Sequence, residues 1–148
     1  MSKVYRYMSF NEFEALMNGI QLSNPKIRNW KTTNSCGFCF LAETTAFSVR
    51  NQDGIVQHYK LRAENCCFLD GIVSNDVLVE FEVKDNSLLR KGFGVYWNPY
   101  YSGYEQTITI DEYSCHSYNK TMLQPIRAKI NSCKDFCYSW SESSWTNL

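Results

Sequence analysis

Cys36-Gly37-Phe38-Cys39 is the first arrangement along the chain that could do chemistry. A C-x-x-C pair exchanges disulfides when its first thiol sits at a helix N-terminus, where the local field lowers the thiol pKa. Here the pair opens an apolar, strand-like run, Cys36–Leu41, with little βαβ pattern around it. Two core-facing or edge thiols are the plainer reading. Cys36 and Cys39 could also join Cys133 and Cys137, or His58 and His116, around zinc, because structural zinc takes four soft ligands from paired short spacings. The second pair is only a C-x3-C, and no metal is expected. The seven cysteines, Cys36, Cys39, Cys66, Cys67, Cys115, Cys133 and Cys137, are odd in number. The opening MSKVYRYMSFNEFEAL is too polar for a signal peptide. A cytoplasmic protein with reduced thiols, packed as small apolar side chains, is therefore expected.

A second constellation is spread along the chain. It comprises Tyr5-Arg6-Tyr7, the run Gly37-Phe38-Cys39-Phe40-Leu41, then Glu43-Thr44-Thr45-Ala46-Phe47, and finally Glu112. In a regular strand over Tyr104–Tyr113, Glu112 shares a face with Ile108 and Ile110. An acid on the apolar face of a strand is the oddity of that region.

This order of parts resembles the ADP-ribosyltransferase superfamily in its small prokaryotic and phage forms. Those proteins place an Arg or His on the first strand, then a helix, a glycine–aromatic strand, a Ser/Thr segment and a glutamate on a late strand. The resemblance implies mono-ADP-ribosyl transfer from NAD to a macromolecular target, as by a bacterial or phage effector. Under it, Glu112 is the catalytic carboxylate, stabilising the positive charge that develops as the bond between nicotinamide and ribose breaks. Arg6 would grip the pyrophosphate or ribose with its planar donors. Thr44 and Thr45 would position the ribose or the strand bearing Glu112. Tyr7, Phe38 and Phe47, with Tyr5 and Phe40, would offer rings for nicotinamide to stack on.

Two positions depart from the arginine-specific subgroup. Glu43-Thr44-Thr45 stands where that subgroup has a Ser-Thr-Ser-like element, and Ile110 stands two residues before Glu112, where it carries Glu or Gln. The acceptor is thereby left open, and Glu105, followed by Gln106, is an alternative acid. Each residue also has a structural reading. Arg6 could form a surface ion pair with Glu12 or Glu14, the threonines could cap a helix, and Glu112 could sit exposed at a strand end. The opening VYRYMSFNEFEALMNGIQLSNP is also similar to uncharacterised bacterial proteins with a Tyr-x-Tyr strand, a helix and a Ser-Asn-Pro turn, a similarity that names no chemistry.

The elements that must position these residues follow from periodicity. Val4–Tyr7 reads as a strand. Ser9 and Glu12 have capping-box spacing at the start of a helix. Phe10, Phe13, Leu16 and Met17 recur at helical spacing and are expected in the core, with Gly19 ending the helix. Gly37–Leu41 predicts a buried strand, Glu43–Val49 a short helix and Ile55–Leu61 a strand. Asp76–Val83 is the clearest strand, with Val77, Val79, Phe81 and Val83 opposite Glu80 and Glu82. Further strands are expected over Phe93–Trp97 and Tyr104–Tyr113. Met122–Ile130 is a last strand or short helix, with Pro125 favouring an edge. The pattern predicts a single α+β domain over 1–138, with an N-terminal strand and helix followed by a curved or split, mainly antiparallel sheet. A Ser/Trp-rich tail over 139–148 is expected to fray.

Composition bounds the alternatives. A chain of 148 residues with 44% apolar and 20% charged residues suits one globular domain. The 15 basic and 15 acidic residues balance without a long basic run, so no extended nucleic-acid-binding face is expected. No stretch of about 18 apolar residues predicts a spanning helix, and no membrane partner is expected. Two other functions fit the residues. One is a non-enzymatic binding or inhibitor protein that uses the aromatic stretch Tyr96, Trp97, Tyr100, Tyr101 and Tyr104, since aromatics are enriched at interface hot spots. The other is a thiol–disulfide protein that uses Cys36 and Cys39.

Overall fold

The computed structural model describes residues 3–23, 31–32, 37–50, 53–66, 76–97, 107–130 and 144–148. Two strands set the frame. In β7 (Val77–Val83) the valines and Phe81 alternate with Leu78, Glu80 and Glu82, so both faces carry residues that can be buried. β1 (Lys3–Met8) pairs with it antiparallel over its whole length, Lys3 opposite Glu82 and Met8 opposite Val77. Around this pair lies, among the described residues, a curled, mainly antiparallel sheet of ten strands with one α-helix.

On one side of β7 stands β11 (Leu123–Ile130), followed by the short β12 (Thr146–Asn147). The β7–β11 register slips between Pro125 and Arg127, as expected of a strand residue that lacks an N–H to donate. On the other side β1 pairs with β4 (Phe38–Ala42), and β4 pairs with β9 (Thr107–Cys115). β9 also carries β5 (Thr44–Arg50), which pairs in turn with β6 (Val56–Arg62). β8 (Arg90–Trp97) follows the second edge of β9, with β3 (Lys31–Thr32) beyond it. β2 (Leu22–Ser23) and β10 (Ser117–Tyr118) form a separate two-stranded pair.

β4 and β5 run in line along one edge of β9. Phe40 faces Tyr113 and Phe47 faces Ile110, so residues 41–46 on one side oppose only 111–112 on the other. This excess bends the sheet and divides it into an inner half around β1 and β7 and an outer half around β5, β6, β8 and β9. The expected helix over Glu43–Val49 is therefore a strand. Thr44, Thr45, Val49 and Phe47 favour extended backbone, and partners on both edges outweigh local propensity. The glycine of the C-x-x-C motif also has a structural cause. Gly37 has φ +118°, and a Cβ there would collide with the Cys115 carbonyl.

The helix α1 (Phe10–Met17) begins as its spacing predicts, with the Ser9 hydroxyl accepting from the Glu12 N–H at 3.1 Å. Gly19, at φ +76°, follows its end. Leu16 is buried and Phe13 packs against the core, but Phe10 is 39% exposed and does not face inward as expected.

Two cores result. Between α1 and the inner sheet lie Val4, Met8, Leu16, Val79 and a cluster of edge-on rings, Phe38, Phe40, Phe81 and Tyr118. On the opposite face Tyr5, Tyr7, Leu41, Ala63, Cys66, Leu78 and Ile110 pack together, with Trp145 against them. Residues 144–148, expected to fray, are thus tied to the sheet by Trp145 and by β12. No helix among the described residues is long and apolar enough to cross a membrane.

Candidate functional site

Arg6 comes from β1 and points towards α1. Its Nε and Nη2 donate to the two carboxylate oxygens of Glu12, at 2.7 and 2.9 Å, and its Nη1 donates to the Cys39 carbonyl at 3.0 Å. The guanidinium lies over the Phe38 ring, 5.0 Å from its centroid. Tyr118 completes the group by donating to the same Glu12 carboxylate at 2.6 Å. Burial opposes ionising Glu12, but the Arg6 guanidinium prevails and holds the carboxyl below the usual range. Arg6 is raised in turn, since Glu12 more than offsets the effect of burial. Burial, and then Glu12, push the Tyr118 phenol well up. Of the capping box expected of Ser9 and Glu12, the Ser9 half forms, while the Glu12 side chain closes on Arg6 and Tyr118.

Glu112 is 1% exposed, so it is not the solvent-facing strand-end acid of the structural reading. The register of β9 is unbroken against β8, so Glu112 shares a face with Ile110, which belongs to the core opposite α1. Tyr113 and Cys115, of the other parity, pack in the core beneath α1. Arg6 and Glu112 therefore project from opposite faces of the sheet.

The remaining residues expected at an NAD site divide in the same way. Phe38 lies with Arg6. Tyr7 lies on the far face, buried, and donates its hydroxyl to the Ala63 carbonyl. Phe47 also turns to the far face and stacks on Tyr59, with centroids 5.0 Å apart. Thr44 is exposed at the start of β5. Thr45 is buried and donates to the Asp111 carbonyl at 2.9 Å, holding the sheet bend beside the strand that bears Glu112.

Cys39 is buried, and Cys36 lies outside the described residues. Burial pushes the thiols of Cys66 and Cys115 up to about 12, which keeps both protonated and unreactive. Among the described residues no cluster of His, Cys, Asp and Glu is placed to hold a metal. Glu105, Cys67, Cys133, Cys137, Tyr100, Tyr101 and Tyr104 lie outside the described residues, as do the side chains of Tyr96 and Trp97.

Periodicity alone leaves a second charged group unremarked. Glu80, expected on the polar face of β7, is 1% exposed. It accepts from Tyr5 at 2.9 Å and from Arg127 at 2.8 Å, with Lys3 at 3.5 Å. Burial raises its carboxyl, but the hydrogen bonds from Arg127 and Tyr5 and the charges of Arg127 and Lys3 together outweigh that and lower it. Trp145 covers this group, with Arg127 4.2 Å and Lys129 5.0 Å from its ring centroid. The sequence signal available was the Glu80-x-Glu82 alternation together with the basic residues at Arg127 and Lys129 in another strand, which only pairing brings together.

A concavity lies elsewhere. It encloses about 470 Å³ on the outer half. Ala46, Ser48, His58, Lys60, Thr109 and Asp111, from one face of β5, β6 and β9, line it together with Phe47 and Tyr59 of the alternate positions. Compared with known proteins, the chain matches no family model, no curated sequence and no solved structure.

Proposed function

We propose that this protein acts by binding a macromolecular partner through the outer half of its sheet, without catalysing transfer from NAD. The observation that carries the reading is the separation of Arg6 from Glu112. A transferase site needs its phosphate-gripping cation and its carboxylate in one cleft. Here the cation is held in a bidentate pair beneath α1 and the acid belongs to the opposite face. The concavity on the outer half, by contrast, is open and lined with hydroxyls, a histidine, a lysine and an aspartate. It is supported on β5, β6 and β9, and rigid strands make a dependable platform for recognition. The aromatic stretch around Tyr96–Tyr104 is not needed for this reading.

The test is incubation of the protein with labelled NAD, alone and with cell lysate, beside Glu112→Gln. The expected outcome is no nicotinamide release above background in either sample. Release by the unaltered protein that disappears in Glu112→Gln would restore the transferase and remove the binding reading.

A further inference from the structure

Strand alternation sorts the charges of the outer half in a way that the balanced total of the chain conceals. On the face that carries the concavity, β6 presents His58 and Lys60, and β5 presents Ser48 and Arg50. β9 presents Thr109 and Asp111, and β8 presents Lys91 and Phe93. The pairings fix this common side, since His58 faces Ser48, Ser48 faces Thr109, Phe93 faces Asp111 and Lys91 faces Tyr113. Arg50, Lys60 and Lys91 are exposed, and Phe93 is 42% exposed. None of the ion pairs among the described residues uses these three cations. Asp111 is the one carboxylate that this face carries among the described residues of the four strands. Arg62 shares the parity but pairs with Glu64, at 3.0 Å, and is not counted.

The other paired acids lie off this face. Glu12 of α1 is held by Arg6, and Glu64 and Glu80 are held by Lys129 and Arg127 around Trp145 on the far face. The outer face is therefore a cationic platform with neutral donors between the cations and a partly exposed ring at its edge. Strands about 4.8 Å apart place β6 and β8 roughly 14 Å from one another. An anion that reaches both Lys60 and Lys91 must be extended.

Resting on the binding reading above, we propose that this face binds single-stranded nucleic acid, with phosphates held by Arg50, Lys60 and Lys91 and a base stacked on Phe93. Charge complementarity selects a polyanion. The part-exposed edge ring selects a single strand, because only unpaired bases offer a face for stacking. Ser48 and Thr109 suit phosphate and sugar oxygens as neutral hydrogen-bonding partners.

The test is fluorescence anisotropy with a labelled oligothymidylate, a duplex of equal length and polyglutamate, at low and at physiological salt. The expected result is salt-dependent binding of the single strand, in preference to the other two. Arg50→Glu and Lys60→Glu should each weaken it about tenfold and flatten its salt dependence. Lys84→Glu alters net charge equally at an exposed position off this face and should leave affinity within about twofold. Phe93→Ala should weaken binding without changing the salt slope. All four positions are exposed, and thermal melts check that the variants stay folded.

No binding of the single strand, or equal losses in Lys84→Glu and Lys60→Glu, would overturn the proposal. Binding of polyglutamate or duplex as tight as that of the single strand, lost in Arg50→Glu and Lys60→Glu, would overturn the nucleic-acid assignment and leave the binding reading standing. Glu112-dependent nicotinamide release in the NAD assay, with no anion bound, would remove both.

Discussion

The inner and outer halves of the sheet use charge in opposite ways. Around β1 and β7 both faces are covered, one by α1 and the other by Trp145 with the stretch from Ala63 to Cys66. The buried charged side chains there are paired, Arg6 with Glu12 and Glu80 with Arg127. Around β5 and β6 one face is open, and Arg50 and Lys60 stand exposed. A charge that is buried must be compensated, whereas an exposed one is solvated and available to a partner. Of the residues expected at an NAD site, Arg6, Tyr7 and Phe38 lie in the inner half, whereas Thr44, Thr45, Phe47 and Glu112 stand on β5 and β9.

The sharpest way to break this comparison is to remove a buried partner. Arg6→Ala leaves the Glu12 carboxylate without its bidentate donor and should destabilise the fold by about 3–5 kcal/mol. Urea denaturation reads this as a lower midpoint at constant slope. Phe40→Ala removes a fully buried ring that meets both Phe81 and Tyr118 edge-on, and should lose a similar amount, about 3–5 kcal/mol. A loss below 1 kcal/mol in either variant would mean that the inner half is not the stability core described.

Glu80→Gln should have a smaller effect, about 1–3 kcal/mol, since Arg127 and Lys3 are partly exposed and can be solvated. The acid limb of stability sharpens the same contrast. The Glu12 carboxyl is lower in the folded protein than in the unfolded chain, so its contribution is complete above the unfolded value, about 4.3. It is lost as pH falls through the lower folded value. Melting temperature should therefore drop as pH falls below about 4, and Glu12→Gln should flatten part of that drop. An unchanged acid limb in Glu12→Gln would deny the pairing its energetic role. The smallest effect is expected in the outer half, where Lys60→Ala should change stability by less than about 0.5 kcal/mol.

Local patterning made much of the inner half legible. The valines of β7, the Ser9 cap and Gly19 each act within a few residues, so the strand, the helix start and the helix end appear where spacing predicts. The exception is Glu43–Val49. Its apolar spacing resembles a helix turn, but hydrogen bonds to β6 and β9 decide it as a strand. The candidate site was less legible. The rise from Arg6 to Glu112 along the chain carries no information about which face each residue occupies until β1, β4 and β9 are in register. The same limit hid the outer cations. Arg50, Lys60 and Lys91 form no basic run in sequence, and they become neighbours only because antiparallel pairing brings alternate residues of separate strands to one side.

The sequence by itself determined the period-2 faces, the capped helix and the glycine that ends it. These follow from sterics and from hydrogen bonds between near neighbours. Tertiary structure alone decided that Arg6 is buried in a pair with Glu12, that Glu112 lies on the other face, and that Arg50, Lys60 and Lys91 come to one side of the outer half. Those outcomes depend on strand order and register, which are set by burial summed over the whole sheet rather than by any one segment.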